Sequence, residues 1–319
     1  MKNFISYFFG QGENVEFTNF SFAHFLPILI MIGVIALIIV FRDKIRNFKS
    51  EGRLRFAMAF TLIITEMSYF WRLVGVESLN ANPVDHLPIT VCGWAIIFCS
   101  FLVLTKNQNL FDIAYFWVFA GSIFGILTPT VITYCGPTRF RYYQFWLEHT
   151  LGFVSLFYMI FVHGMRPKIK SIFKSYGMLI ILAVIAIFAN VNLKGANYLF
   201  MAKPEDTASI LDILPKNYPL RVSIMAFVMA LLFFLCYLPW LIIDLRRKKK
   251  GLSPLSLCAC KNAYIEAVKK EQYDSIEDKS SAQNYEVNKN KSSKKAILIN
   301  PKKTSEKSTS KSKKENKKK

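Results

Sequence analysis

The chain has 319 residues, of which 53% are hydrophobic and 29 are Phe, and its formal net charge is +20. These values exclude an ordinary pair of soluble domains, because the apolar residues arrive in blocks long enough for a helix to cross a bilayer. The charge does not indicate a nucleic-acid-binding domain either, since residues 246–319 alone hold 22 Lys and Arg against 8 Asp and Glu.

Seven apolar segments predict transmembrane helices, and the first is too long an apolar run for a signal peptide. The predicted fold is therefore all-α: a polytopic integral membrane bundle of about seven helices over residues 1–245, with six or eight crossings as alternatives. In chain order the segments are residues 22–41, 56–73, 87–104, 110–127, 143–164, 176–191 and 218–243.

Basic connections predict the orientation of this bundle. Clusters of Lys and Arg follow the first, fifth and last segments, and all three share one side only if the chain crosses an odd number of times. Because basic loops stay in the cytoplasm, we expect the N-terminus outside and the C-terminus inside the plasma membrane. The clusters are Arg42, Lys44, Arg46, Lys49, Arg53 and Arg55, then Arg166, Lys168, Lys170 and Lys174, then residues 246–250.

The last 74 residues, 246–319, have a composition that cannot bury enough apolar surface to fold, and we expect a disordered Lys-rich cytoplasmic tail. Its expected partner is the anionic lipid surface. The tail lacks interleaved aromatic residues, so no specific nucleic-acid partner is expected. Cys258-Ala-Cys260 lacks the paired ligands of a zinc site, and we predict no metal and no cofactor.

Ionisable and polar residues inside the apolar segments are the main functional signal, because they are costly in hydrocarbon. They concentrate in the outer half of the predicted bundle, whereas the inner halves of the same segments hold almost nothing ionisable apart from His163. This distribution predicts a pocket between helices. The outer group consists of His24, Glu66, Cys92 and His149, with Asn197 and Tyr198 just beyond the sixth segment.

Each of these residues also has a structural interpretation. Glu66 can pair with Arg72, His24 can bond lipid headgroups at the interface, and Cys92 can be a small core residue. His149 follows an aromatic run that is typical of an interfacial belt. Taken together, however, a thiol and an imidazole at similar depth favour acyl transfer, with the base oriented by Glu66 or Asn197.

The sequence resembles the YwaF-type bacterial integral membrane proteins over roughly residues 15–245, and more distantly a eukaryotic membrane acyltransferase acting on polyunsaturated ether phospholipids. The resemblance rests on ordered blocks rather than on one motif. These blocks are Glu66 with Trp71-Arg72, Leu87-Pro88 through Cys92, residues 109–117 with Leu127-Thr128-Pro129, Gln144-Phe145 before His149, residues 197–200, Lys203-Pro204 and residues 209–212.

The resemblance implies that Cys92 is the acyl-accepting nucleophile and His149 the general base. Lipid hydrolases of similar architecture use a threonine, which makes Thr90 a competing nucleophile. Thr90 also stands where the family pattern has a histidine. Around the catalytic set of Cys92, His149 and Glu66, the expected substrate-binding residues are His24, Thr90, Asn197, Tyr198 and Arg72.

The leading hypothesis is therefore a phospholipid acyltransferase or lipid hydrolase that works on membrane lipids. A multi-span transporter or solute-binding membrane subunit is the first alternative, because polar residues on several helices also serve transport. A non-catalytic scaffold whose tail recruits a partner is the second. Loss of lipid activity in Cys92→Ala would favour the enzyme, and a solute-uptake defect with unchanged lipids would favour the transporter.

Overall fold

A computed structural model describes residues 2–13, 17–129, 135–203 and 213–255. These residues form eight α-helices and short 3-10 turns, and no β-strand occurs among them. The helices are α1 (Lys2–Phe9), α2 (Phe22–Arg46), α3 (Glu51–Gly75), α4 (Val91–Thr105), α5 (Gln108–Leu127), α6 (Phe140–Phe161), α7 (Ile169–Asn192) and α8 (Tyr218–Lys249).

A helix occupies each of the seven predicted segments. By length and composition, α2, α5, α7 and α8 are long and apolar enough to cross a membrane, and α4 is a shorter apolar helix. The helix α4 starts at Val91 rather than at residue 87, because Thr90 caps its N-terminus. The helix α8 continues through Arg246–Lys249, whose positive charges suit the C-terminal end of a helix dipole. The predicted disordered tail otherwise falls mostly on residues 256–319, outside the described part of the chain.

The three basic connections lie at one end of the bundle, here called the basic end. Nε of Arg46, at the end of α2, donates to the carbonyl of Val162 just after α6, at 2.7 Å. Arg55 reaches the backbone of the last turn of α4. Arg166, between α6 and α7, pairs with Asp244 near the end of α8. The helices therefore alternate in direction along the chain.

A further buried ionisable group, not predicted from the sequence, lies at the start of α5 near the basic end. Asp112 is buried there and accepts hydrogen bonds from Lys174 at 2.6 Å, Ser171 at 2.8 Å and Gln108 at 2.8 Å. The cation and two neutral donors satisfy the carboxylate, which is how a buried charge is accommodated. Asp112 therefore ties α5 to α7.

Glu51, the first residue of α3, is a second ionic centre at the basic end. It accepts hydrogen bonds from Tyr158 at 2.6 Å, His163 at 2.9 Å and Arg55 at 2.8 Å. Burial raises the pKa of Glu51, but these hydrogen bonds and the charge of Arg55 outweigh burial and lower the pKa to about 2. His163 therefore belongs to a structural junction of α3 and α6.

At the opposite end, here called the site end, two buried arginines hold the N-terminal segment. Nε of Arg72 donates to the carbonyl of Phe9 at 2.9 Å. The guanidinium of Arg139 donates to the carbonyls of Tyr7 and of Gln11, the latter at 2.9 Å. The helix α1 is therefore attached to the bundle over α6.

The helix α5 is not uniform. A π-helical turn, Trp117–Ser122, separates the α-helical segments Gln108–Phe116 and Ile123–Leu127. A π turn adds a residue to the helical repeat and therefore changes which side chains of the following segment share a face with those before it. The segment after the turn is the one that reaches the site end.

Candidate functional site

Cys92 is the second residue of α4 and is half-buried. The turn that presents it is fixed by Thr90, whose Oγ1 accepts the amide hydrogen of Gly93 at 3.2 Å. The hydroxyl of Ser122, on the π turn of α5, donates to Sγ of Cys92 at 3.7 Å, which is within reach of a hydrogen bond to sulfur. The thiol therefore lies at the contact between α4 and α5.

His149 is buried on α6, and its two ring nitrogens have different surroundings. Nδ1 hydrogen-bonds the carbonyl of Phe145 at 2.9 Å, and the two rings lie 4.2 Å apart. Nε2 faces Gly125 of α5 and would be 3.2 Å from a Cβ placed there. Because a neutral imidazole carries one N–H, the bond to Phe145 leaves Nε2 as the proton acceptor. No described residue hydrogen-bonds that nitrogen.

The thiol and the imidazole both lie against one face of the last part of α5, here called the strip of α5, which includes Ser122 and Gly125. Ser122 contacts Cys92 and Gly125 contacts His149, and residues three apart are neighbours on a helix face. No hydrogen bond in the described structure joins Cys92 directly to His149. Their common neighbour is the strip of α5 between the two contacts.

Glu66 of α3 is buried and is the third member of the predicted set. Its Oε1 would be 2.6 Å from a Cβ on Gly93, so the carboxyl lies directly against the first turn of α4. Glu66 also neighbours Glu148 of α6. The orientation of His149 comes from the carbonyl of Phe145, where Glu66 or Asn197 was expected.

Three polar residues of α6 complete the cluster, and none of them is among the site residues predicted from the sequence. Nε2 of Gln144 donates to Glu148 at 2.7 Å and to the carbonyl of Thr65 at 3.1 Å. Arg141 donates to Oε1 of Gln144 and lies 4.0 Å from Oε2 of Glu148. Their spacing of three and four residues is a helical stripe, which could have identified them.

The comparisons with known proteins identify the family. The family model described as TMEM164 family matches residues 19–237. The chain belongs to the TMEM164 family. The matched range contains every helix from α2 to most of α8 and all the residues of the cluster, and it identifies a membrane protein.

A relative from Treponema pallidum (strain Nichols), described as an uncharacterized protein, is 31% identical to this TMEM164-family chain over 158 residues. That match covers 49% of this chain and 63% of the relative, so less than two thirds of the relative's length is aligned. No solved structure matches the chain.

Two other predicted binding residues of this TMEM164-family member hold helices together. His24 is buried, with Nδ1 accepting the amide hydrogen of Phe20 at 2.9 Å and Nε2 bonding the carbonyl of Ile126 at 2.8 Å. Arg72 holds the end of α1 at Phe9. Backbone groups therefore occupy both nitrogens of His24, which links α2 to the end of α5.

Asn197 and Tyr198 lie in the connection between α7 and α8. Asn197 folds that connection by accepting the amide hydrogens of Ala202 and Lys203 at 3.1 and 3.0 Å. The hydroxyl of Tyr198 accepts the amide hydrogen of Leu87 at 3.1 Å, which ties the connection to the approach to α4. None of the described contacts joins this pair to the thiol or the imidazole.

Proposed function

We propose that this TMEM164-family protein is a lipid-active membrane enzyme, an acyltransferase in which Cys92 is the nucleophile and His149 the general base. The observation that carries the proposal is that both side chains contact the same strip of α5, at Ser122 and Gly125. No described residue forms a hydrogen bond with Nε2 of His149, so this nitrogen can accept the proton of the thiol.

In the first step, the thiol of Cys92 attacks the ester carbonyl of a donor lipid and passes its proton to Nε2 of His149. The carbon–sulfur bond forms, the ester carbon–oxygen bond breaks, and the leaving oxygen takes the proton from His149. In the second step, the hydroxyl of an acceptor lipid attacks the thioester with the same base. The new ester forms and the thiol of Cys92 returns; with water as acceptor the same steps give hydrolysis.

The carboxyl cluster supports this chemistry by positioning rather than by direct attack. Glu66 lies against the first turn of α4, which carries Cys92, and Glu148 precedes His149 on α6. Arg141 lies 4.0 Å from Glu148 and supplies a positive charge to the pair of carboxyls. A network of this kind fixes the angle between α3, α4 and α6, on which the approach of sulfur to nitrogen depends.

The membrane arrangement is part of the proposal. The alternating helices and the grouping of the basic connections at one end favour seven crossings, with the site end outside and the basic end in the cytoplasm. The protein then lies in the plasma membrane, with membrane lipids as substrates and the Lys-rich tail against anionic lipid. We also propose that the chain is related to the YwaF-type proteins.

The test uses the full-length protein in mild detergent with alkyne-tagged phospholipids, followed by detection of a hydroxylamine-sensitive acyl adduct. Wild type is compared with Cys92→Ala, His149→Ala and the matched control Cys99→Ala. Cys99 lies on the same helix but is buried against Gly152. We expect the adduct in wild type and Cys99→Ala only.

An adduct of wild-type intensity in Cys92→Ala would disprove the role of the thiol. No adduct in any folded variant would direct attention to hydrolysis at Thr90, which is exposed and caps α4, or to transport.

A further inference from the structure

A small cleft opens at the site end, beside the first turns of α6. Its lining is mainly aromatic and includes a single cation: Phe17, Pro129, Arg141, Tyr142, Phe145 and Trp146 contribute to it. Phe145 also carries the carbonyl that holds His149. The cleft therefore adjoins the candidate catalytic residues without containing them.

Two buried N–H groups among the residues lining the cleft make no hydrogen bond within the described chain. One is Nε1 of Trp146, a residue only 5% exposed, and the other is Nε of Arg141. Buried donors are normally paired, so two unpaired donors on residues that line one cleft leave hydrogen bonds for a bound ligand to complete. Two such donors beside one cleft point to a ligand that carries hydrogen-bond-accepting oxygens.

Both donors are held in place before any ligand arrives. The guanidinium of Arg141 lies 4.6 Å above the ring of Tyr69 and 5.5 Å from that of Phe145. The indole of Trp146 packs against the rings of Phe17 and His24, with centroids 6.4 and 5.6 Å away. Fixed donors lose little freedom on binding, which favours recognition of a compact oxyanion.

The charges around the cleft favour an anionic oxygen group over a neutral one. Arg141 is the cation of the cleft, and the nearest described carboxylate, Glu148, lies 4.0 Å from Nη1. That contact and the bond to Gln144 both use Nη1 and leave Nε without a partner. A guanidinium is well suited to phosphate because its donors form a planar fork.

We propose that this cleft is a phosphate-binding subsite, in which Arg141 and Trp146 hold the headgroup phosphate of a phospholipid. From Arg141 to His149 the helix rises about 12 Å, so a lipid held by its phosphate would direct its glycerol esters along α6 toward His149. The role of that direction in catalysis rests on the proposed function. The binding itself does not.

The test measures equilibrium binding to the full-length Cys92→Ala protein, in which no acyl transfer through the thiol can occur. The probes are oleoyl lysophosphatidylcholine, monooleoylglycerol, which has the same chain without phosphate, and glycerol 3-phosphate, which has the phosphate without the chain. Trp146→Phe removes the indole N–H and keeps an aromatic ring, and Arg141→Lys keeps the charge but not the fork. Trp94→Phe is the matched control, because Nε1 of Trp94 already donates to Pro88.

We expect the lysophospholipid to bind at least about tenfold more tightly than monooleoylglycerol, and each of the two cleft variants to remove most of that difference. Trp94→Phe should retain it. Equal binding of the two lipids, or a preference that survives both cleft variants with unchanged melting temperatures, would overturn the proposal. Binding of glycerol 3-phosphate as tight as that of the lysophospholipid would overturn the lipid as the source of the phosphate.

The proposed function fails separately. Phosphate-dependent binding together with no acyl adduct in wild type would leave the subsite standing and remove the thioester mechanism. An adduct formed without any preference for the phosphate-bearing lipid would support the thioester mechanism and remove the phosphate subsite.

Discussion

Nε2 of His149 would stand 3.2 Å from a Cβ atom on Gly125, so the imidazole occupies the space that any larger residue of α5 would need. A Cβ there would be closer to the imidazole than ordinary van der Waals packing allows. The proton-accepting nitrogen therefore faces the part of α5 that also reaches Cys92. A glycine at this position is therefore part of the site although it carries no chemistry.

Gly125→Ala should displace the imidazole while leaving the bundle folded. A shift of a few tenths of an ångström to one ångström in a general base costs about tenfold to hundredfold in rate. The measurement is the initial rate of acyl-adduct formation, with melting temperature in detergent as the check on folding. Gly177→Ala is the control, because nothing lies within 4 Å of a Cβ there. Equal rates in the two variants would contradict the placement of His149.

Gly93→Ala should destabilise the protein by about 1–3 kcal/mol, because the new methyl group would overlap the carboxyl of Glu66 and the hydroxyl of Thr90. Removing the carboxyl should recover part of that loss. A double-mutant cycle of Gly93→Ala and Glu66→Ala, followed by thermal unfolding, measures the coupling. Strictly additive effects would show that the two residues do not meet.

His24→Ala should lower the free energy of unfolding by about 1–3 kcal/mol, because it leaves the buried amide of Phe20 and carbonyl of Ile126 without partners. Thermal unfolding is the measurement, and lipid binding is measured in parallel at a temperature where the variant is folded. An unchanged melting temperature with lost lipid binding would instead support the substrate-binding role predicted from the sequence.

Glu51 should make the free energy of unfolding depend on pH in the acidic range. Its folded pKa of about 2 lies below the ordinary value of 4.5, so its contribution is present above about pH 4.5 and is lost as the pH falls toward 2. Glu51→Gln should lack this component. The comparison is the melting temperature of the two proteins at pH 6 and pH 3 at constant ionic strength. Parallel pH profiles would contradict the ionic centre with Arg55 and His163.

The proposed orientation predicts opposite labelling of two connections. Asn80, between α3 and α4, and Lys49, between α2 and α3, are both exposed. In intact cells, Asn80→Cys should react with a membrane-impermeant maleimide, whereas Lys49→Cys should react only after permeabilisation. Reversed labelling would show that the bundle has the opposite orientation. Labelling of both residues in intact cells would show that α3 does not cross the membrane between them.

Much of the fold follows from hydropathy, since each of the seven apolar segments contains a helix. Boundaries were less accurate where packing decides them. The start of α4 depends on the cap at Thr90, and α7 begins at Ile169, seven residues before the apolar segment. The ionic role of Asp112 was missed because it depends on Lys174, a residue distant in sequence.

The candidate site was predictable in part. Cys92, His149 and Glu66 stood out because ionisable groups are rare inside apolar segments. Their neighbours Ser122 and Gly125 did not, because small residues in an apolar helix carry no signal of their own. The contacts also depend on the π turn of α5, which hydropathy does not reveal.

That π turn rotates the side chains of the second half of α5 about the helix axis relative to those of the first half. Its first half is aligned on α7, where the hydroxyl of Ser175 reaches the carbonyl of Ile113 at 3.3 Å. Its second half is aligned on Cys92 and His149. Deleting one residue within Trp117–Ser122 would restore a plain α-helix and rotate one half by about 100° relative to the other. Such a deletion would turn Gly125 away from the imidazole while the junction at the basic end stayed intact. The number of residues in this short turn therefore matters for the site, and α5 should tolerate substitutions there better than insertions or deletions.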